Sequence, residues 1–306
     1  MRSYEMTIRQ AHEKATQLLT AQYDTHQAQR IAWWLLEAIT ERKQVQLVSQ
    51  NAYELSDEQQ ALLFQWVHEH IHEHKPLAYI LGWLPFCGLI INVKPPILIP
   101  RPETEEWVTH FIDELRAAHI TSFSLLDVCT GSGCIALAIA QAFPDAQIYG
   151  CDIDPEALTC ARENAANNNI TNVIFKQSDL FDAFAGQRFD YIVANPPYIA
   201  HQEAASLAPS VTQWESPQAL FADDDGYALI KKIINQAPAH FNITPSTLEI
   251  TGPHLCIEIG YRQGASLSAY MKEHGYYDVH VRKDYAGHDR IICGRYGNAR
   301  ATANNK

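Results

Sequence analysis

The sequence predicts an α/β protein: a mostly parallel sheet with helices on both faces, preceded by an all-helical domain. Three observations carry this reading. Residues 1–75 contain neither glycine nor proline, whereas Pro76 to Pro102 hold six prolines and two glycines, the sharpest compositional break in the chain. From about residue 105, short apolar runs alternate with helical stretches, the pattern of a parallel sheet covered on both faces. Finally, Asp127, Asp152, Asp179 and Asn195 close successive apolar runs. They fall at the edge where open α/β sheets bind ligands. The predicted organisation is a helical domain over 1–75, a linker with a β-hairpin over 76–104, the sheet domain over 105–296, and a polar, disordered tail over 297–306.

The elements follow in order. Asp24 or Thr25 caps a helix whose apolar face holds Ile31, Trp34, Leu35 and Ala38. Ser56 with Gln59 forms a capping box before Leu62, Leu63, Trp66 and Val67. Leu89 to Val93 is one arm of the linker hairpin. Strands are expected at Ser124–Asp127, Gln147–Asp152, Val173–Phe175 and Phe189–Ala194, then at Leu255–Ile259. Helices are expected near Tyr227–Gln236 and Gly264–Glu273. Val279–Arg282 and Arg290–Cys293 read as a closing antiparallel pair.

Between the first strand and its helix lies a turn of small residues, Cys129-Thr130-Gly131-Ser132-Gly133. Such a turn brings backbone close to a nucleotide-like ligand and points helix N–H groups at it. Asp152, about 20 residues past the glycines, stands where an acid holds ribose hydroxyls. Gly131, Gly133 and Ala136 also fit the dinucleotide pattern G-x-G-x-x-A, so a nicotinamide enzyme competes on this segment. The row of acids favours a ligand with hydroxyls, an amine and a sulfonium charge but no phosphate. No Arg or Lys lies between Asp127 and Arg162 to meet a diphosphate. S-adenosylmethionine fits that description better than a pyrophosphate does.

Residues 195–198 read Asn-Pro-Pro-Tyr, directly after the fourth strand. Two prolines end the ladder. The Pro196 carbonyl and the Asn195 side-chain oxygen supply two acceptors, Pro197 fixes the chain locally, and Tyr198 adds a flat face. Two acceptors and a stacking plane match a planar NH₂ group, either a carboxamide or the exocyclic amine of a base. A plain proline-rich turn is the bland alternative.

With these residues in place, the chain resembles the class I S-adenosylmethionine-dependent methyltransferases, and more narrowly the HemK/PrmC-type release factor glutamine methyltransferases. The resemblance also covers the helical leader, Pro76 to Gly82, and the segment Leu98-Ile99-Pro100-Arg101-Pro102-Glu103-Thr104-Glu105, and it extends to the ending Arg282–Tyr296. It implies a Rossmann-like sheet and methyl transfer to the side-chain nitrogen of the glutamine in a Gly-Gly-Gln motif. By resemblance, Cys129–Gly133, Asp152 and Leu180 contact the cofactor and Asn195–Tyr198 hold the glutamine. Two positions depart from the family pattern. Cys129 replaces a frequent glycine, which requires a negative φ there or a modest strain. Leu180 stands where some members carry an aromatic. Cys129, with Phe86-Cys87-Gly88, is similar to the sister enzyme that methylates a large-subunit ribosomal protein. Adenine-N6 methyltransferases share Asn-Pro-Pro-Tyr, and a non-catalytic cofactor-binding adaptor is the third class. The leader is not needed for methyl transfer, so partner recognition is its expected task.

Composition bounds the rest. The chain has 306 residues, 47% hydrophobic and 19% charged, with a formal net charge of −12. This suits two globular domains and disfavours nucleic acid as the main source of affinity. A basic protein partner would be steered toward it. Seven scattered cysteines without a C-x-x-C read as reduced thiols in a cytoplasmic protein. No apolar run approaches the length of a membrane span and no signal peptide is evident. His68 to His72 matches H-E-x-x-H but lacks a third ligand. Asp223-Asp224-Asp225-Gly226 looks like part of a calcium loop but reads as a solvated helix N-terminus. No metal is expected.

Overall fold

The computed structural model describes residues 6–49, 53–243 and 252–297. The expected tail, past Gly297, lies outside the described residues. The chain forms two units. One runs to Gly82 and takes in Ala208–Trp214; the other holds Trp83–Leu207 and Glu215 onward.

The first unit is helical. A short strand β1 (Met6–Thr7) precedes α1 (Ile8–Leu19), α2 (Thr25–Thr40) and α3 (Gln44–Ser49). Then come β2 (Glu54–Leu55), antiparallel to β1, α4 (Asp57–His72) and α5 (Leu77–Leu81). The helices begin where side chains satisfy their free N–H groups. Asp24 accepts from Gln27 N at 2.9 Å, and Ser56 and Gln59 form the capping box. Ala28, Ile31, Ala32, Leu35 and Leu36 form the buried stripe of α2. Trp34 falls off that stripe and is 45% exposed, contrary to the sequence expectation, with the Arg30 guanidinium 5.6 Å from its ring. Ala38 is only half-buried. On α4, Leu63 and Val67 are buried, and Leu62 and Trp66 partly so. His70 is buried between Tyr23 Oη (2.9 Å) and the Lys75 carbonyl (2.8 Å). It is a satisfied core histidine. The Trp214 indole donates to the Glu73 carbonyl at 2.9 Å, which ties the returning segment to this unit.

The second unit opens with the hairpin β3 (Trp83–Phe86) and β4 (Leu89–Asn92), followed by α6 (Pro102–Ala117). Next come β5 (Ser124–Val128), α7 (Cys134–Ala142), β6 (Gln147–Asp152), α8 (Pro155–Asn167) and β7 (Val173–Gln177). β8 (Tyr191–Ala194) starts after Phe189 and Asp190 rather than including them. β9 (Ile199–Ala200), α9 (Pro209–Thr212, in the segment counted with the first unit), α10 (Pro217–Leu220) and β10 (Phe221–Ala222) follow. The chain continues through α11 (Ala228–Gln236), β11 (Leu255–Glu258), α12 (Gly264–Glu273), β12 (Tyr276–Lys283) and β13 (Asp289–Tyr296).

Seven strands make one sheet in the order β12-β13-β11-β8-β5-β6-β7. β11, β8, β5, β6 and β7 run parallel, and β13 and β12 close the edge antiparallel. β5 is flanked by β6 on one side and by β8 on the other, so the chain reverses its winding between β5 and β8. That reversal opens a crevice at the carboxyl ends of the two strands. Register levels the ends: Val128, Ala194 and Ile257 are successive Cα partners across β5, β8 and β11. Every residue of β8 is buried, as expected for a strand covered on both faces.

The hairpin is docked by asparagines rather than by strand pairing. Asn164 and Asn168, one turn apart on α8, each pair with both backbone groups of a β4 residue. Asn164 takes the N–H of Asn92 (2.8 Å) and donates to its carbonyl (3.0 Å). Asn168 does the same for Ile90 at 3.1 and 2.8 Å. Two side-chain amides thereby satisfy four polar groups along an open strand edge.

Candidate active site

The glycine turn is held from beneath by Asp127. This residue is fully buried; its Oδ2 accepts from Thr130 Oγ1 at 2.5 Å and from Ala136 N, on α7, at 3.2 Å. Its Oδ1 is buried without a partner among the described residues. Burial pushes the Asp127 carboxyl up to about 7. Cys129 has φ +61 and Leu180 φ +49, both left-handed. The sequence left two possibilities for Cys129, and the structure takes the strained one, at about 1–2 kcal/mol. Asp152 reaches back across the turn: Oδ2 accepts from Gly131 N at 2.9 Å and Oδ1 from Asp154 N at 3.0 Å. Burial raises its pKa, against those two N–H donors.

Asn-Pro-Pro-Tyr leaves β8 at the level of Cys129. Asn195 Nδ2 donates to Thr104 Oγ1 at 3.5 Å, and among the described residues no hydrogen-bond donor meets Asn195 Oδ1. Tyr198 donates its hydroxyl to Glu258 Oε1 at 3.2 Å. The Tyr198 carbonyl is gripped by Gln263 Nε2 at 3.2 Å, and a Cβ at Gly226 would overlap that carbonyl. Gly226 is therefore needed both for its φ of +85° and for the close approach. Glu258 is fully buried and takes Thr104 Oγ1 (2.7 Å) and Trp107 Nε1 (2.8 Å) on Oε2.

A cavity of about 320 Å³ lies at this edge. Of the residues singled out in the sequence, Cys129, Gly131, Asp152, Asp179, Leu180, Asn195 and Pro197 line it. Thr130, Ser132 and Gly133 do not. Thr130 braces Asp127, the Ser132 carbonyl accepts from Asn164 at 3.0 Å, and Gly133 N closes the turn onto Thr130 at 2.9 Å. Pro196 and Tyr198 also lie outside the lining. Four aspartates (152, 154, 179 and 223) face the cavity against one lysine, Lys232. This charge balance repels a diphosphate and suits a sulfonium cation. Ile153, 47% exposed, and Leu180 offer apolar surface that a purine would cover. The residues present thus fit S-adenosylmethionine.

Sequence reading missed several contributors. Lys232 belongs to α11 and Pro96, Ile97 and Leu98 to the linker, yet all line the cavity. The paired prolines at 95–96 and the family segment that begins at Leu98 were the signals for the linker wall. Arg101 grips buried Glu215 through both carboxylate oxygens at 2.7 and 2.6 Å. Burial raises the pKa of Glu215, and the Arg101 charge opposes it. Glu105 accepts from Cys87 N at 2.6 Å and caps the hairpin turn, where Cys87 has φ +48. Arg101 and Glu105 are therefore structural parts of the Arg-Pro-Glu-Thr-Glu segment. Asp224, Asp225 and Gly226 form a left-handed turn, in which Lys231 pairs with Asp224 at 2.7 Å. Among the described residues no group of three or more His, Cys, Asp or Glu side chains could hold a metal, and no helix is long and apolar enough to cross a membrane. All seven cysteines are free.

Comparison with known proteins agrees with this geometry. The family model for the methyltransferase small domain matches residues 108–220, and that for the PrmC N-terminal domain matches residues 10–82. The chain is 35% identical over 285 residues to the release factor glutamine methyltransferase of Salmonella typhimurium, covering 93% of this chain and 97% of that one. It is 40% identical over 223 residues to the enzyme of the same name from Vibrio cholerae, covering 72% and 74%. Among solved structures, the hMettl16 catalytic domain shares the fold at a TM-score of 0.53 and 16% identity, over 80% of this chain and 84% of that one. With the sheet, the acid-lined cavity and this identity over nearly its whole length, the chain belongs to the release factor glutamine methyltransferase family.

Proposed function

We propose that this protein methylates the side-chain amide nitrogen of the glutamine in the Gly-Gly-Gln motif of peptide chain release factors. The observation that carries the proposal is that one cavity is lined by Cys129, Gly131, Asp152, Asp179, Asn195 and Pro197. On this reading the cofactor and the amide held by Asn195 share a single space.

S-adenosylmethionine, when bound, supplies a methyl group activated on a sulfonium. The chain's own residues do the rest. Cys129, Gly131, Asp152, Asp179 and Leu180, which line the cavity, would hold the cofactor. Asn195 Oδ1 and the Pro196 carbonyl accept the two N–H groups of the glutamine. An amide nitrogen is a poor nucleophile because its lone pair is delocalised. Two acceptors on its hydrogens draw electron density toward nitrogen and stabilise the positive charge that develops there during attack. Pro197 keeps the clamp rigid. Tyr198, anchored on Glu258, holds the shape of the loop. No carboxylate base has to act first, since the proton can leave after the methyl group has arrived.

The acidic surface favours a basic protein partner over nucleic acid. On this proposal the first unit, which has its own helical core, recognises that partner, and the enzyme works where translation occurs, in the cytoplasm.

The test is incubation of the protein with labelled S-adenosylmethionine and, separately, release factors, large-subunit ribosomal proteins and adenine-containing RNA or DNA, followed by peptide mapping. Label on the Gly-Gly-Gln glutamine is the expected result. Label on a ribosomal protein glutamine would move the substrate, and label on adenine alone would overturn the reading. Asn195→Ala should lower turnover by about 10²–10³-fold, as loss of one oxyanion-hole group does.

A further inference from the structure

We propose that Trp107, Glu258 and Thr104 form a polarity relay that dictates which end of the Asn195 amide is presented to the acceptor, and so makes the site select a primary amide over a carboxylate. The inference rests on the glutamine reading for the identity of the acceptor but not for the relay itself.

The argument follows the hydrogens. An indole N–H can only donate. Trp107 Nε1 donates to Glu258 Oε2 at 2.8 Å, so that oxygen is an acceptor. Its second lone pair takes the Thr104 hydroxyl at 2.7 Å. A threonine has one hydroxyl hydrogen. With that hydrogen committed to Glu258, Thr104 Oγ1 can only accept from its other neighbour, Asn195 at 3.5 Å. The Asn195 atom facing Thr104 must therefore be Nδ2. With the amide reversed, two oxygens would meet with no hydrogen between them. Thr104 and Glu258 are both 1% exposed, so no water competes for these positions.

The relay also survives protonation of Glu258. Burial raises this carboxyl's pKa, opposed by the hydrogen bonds from Thr104 and Trp107. Both lone pairs of Oε2 are occupied, so a proton would sit on Oε1, toward Tyr198, and Oε2 would stay an acceptor. Polarity therefore runs one way whatever the charge. It ends on Asn195 Oδ1, an acceptor on a cavity-lining residue. A glutamine NH₂ donates to that oxygen. A glutamate carboxylate meets it with a lone pair, and like polarity rejects it. Register explains the placement: β11 lies beside β8 with Ile257 opposite Ala194, so Glu258 and Asn195 leave the sheet side by side. Thr104 and Glu258 are positioning residues; neither lines the cavity.

The experiment compares the full-length protein with Thr104→Val, which keeps the shape and removes the hydroxyl, and with Thr104→Ser, which restores it. One readout is inhibition of release factor methylation by a release factor carrying Glu in place of the Gly-Gly-Gln glutamine, set against the affinity for the Gln form. Thr104→Val should lose about tenfold of the Gln-over-Glu discrimination, the scale of one mispaired buried polar contact, and Thr104→Ser should regain it. The other readout is the NMR signal of the Asn195 side-chain NH₂, identified by its loss in Asn195→Asp. That signal should move in Thr104→Val and return in Thr104→Ser. S-adenosylhomocysteine affinity serves as the folding control. If Thr104→Val does not fold, Thr104→Ala carries the same test, because it too removes the hydroxyl that accepts from Asn195. An unmoved Asn195 signal overturns the relay, and so does a loss of turnover with discrimination intact, which would mark Thr104 as merely structural. If the wild-type protein methylates no glutamine, the proposed function fails, while the NMR signal still decides the relay.

Discussion

Asp127 makes the stability of this protein depend on pH in a direction set by its burial. The carboxyl is fully buried, one of its oxygens has no partner among the described residues, and its pKa moves from an ordinary 3.8 to about 7. Between those values the folded chain keeps a proton that the unfolded chain has released. Stability therefore falls as pH rises through the window from about 4 to about 7, then levels off. At about 1.4 kcal/mol per pH unit, this one residue accounts for about 4 kcal/mol across the full window. Hydrogen bonds from Thr130 and Ala136 oppose the shift, and the Asp152 charge adds to it. Asp127→Asn removes the titration and nearly keeps the shape. The assay is urea unfolding of wild type and Asp127→Asn, followed by circular dichroism from pH 4.5 to pH 7.5. Because the other raised carboxyls are common to both proteins, the difference between the curves isolates Asp127. That difference should change by about 3 kcal/mol over the range, in favour of Asp127→Asn at the alkaline end. Parallel curves would refute the reasoning and would mean that Asp127 ionises in the fold as it does in water.

Three further outcomes are expected. Asp152→Ala removes the carboxylate assigned to the ribose and a brace of the turn at Gly131, so calorimetry should show S-adenosylhomocysteine binding weakened by about 1–3 kcal/mol. Gly226→Ala pushes a methyl group into the Tyr198 carbonyl at a left-handed position; turnover should fall with little change in S-adenosylhomocysteine affinity, and normal turnover would show that the loop tolerates the shift. A chain beginning at Pro76 should keep cofactor affinity and lose most activity on an intact release factor, whereas equal activity of long and short chains would remove the recognition role of the first unit.

Much of the site was legible in the sequence because its parts are local. A strand, the turn Cys129–Gly133 and a helix lie within about 20 residues, and each strand-end residue announces itself at the close of an apolar run. Cap residues such as Asp24 and Ser56 act three positions away, so their partners could be named in advance. Trp34 was misread because an apolar side chain at a helical position does not say which stripe faces the core; the neighbouring helices make that choice. Cys129 marked a position of interest, but which of its two conformations it takes, φ +61, emerged only in the folded chain.

What only the tertiary structure decided is which distant residues share a hydrogen. Thr104 meets Glu258 across 154 positions of sequence, Arg101 meets Glu215 across 114, and Asn92 meets Asn164 across 72. Periodicity and spacing carry no information about such pairs, because sheet order and register bring them together only after folding. By itself, the sequence pointed to a methyl-transfer cofactor and a planar NH₂ group, of a carboxamide or of a base, at the carboxyl edge of this sheet. The fold decided that Pro197 rather than Tyr198 lines the cavity, that Lys232 joins it, and that Asn195 keeps one acceptor free among the described residues. Hydrogen-bond polarity belongs to a network of neighbours, and burial removes the water that would otherwise satisfy either orientation.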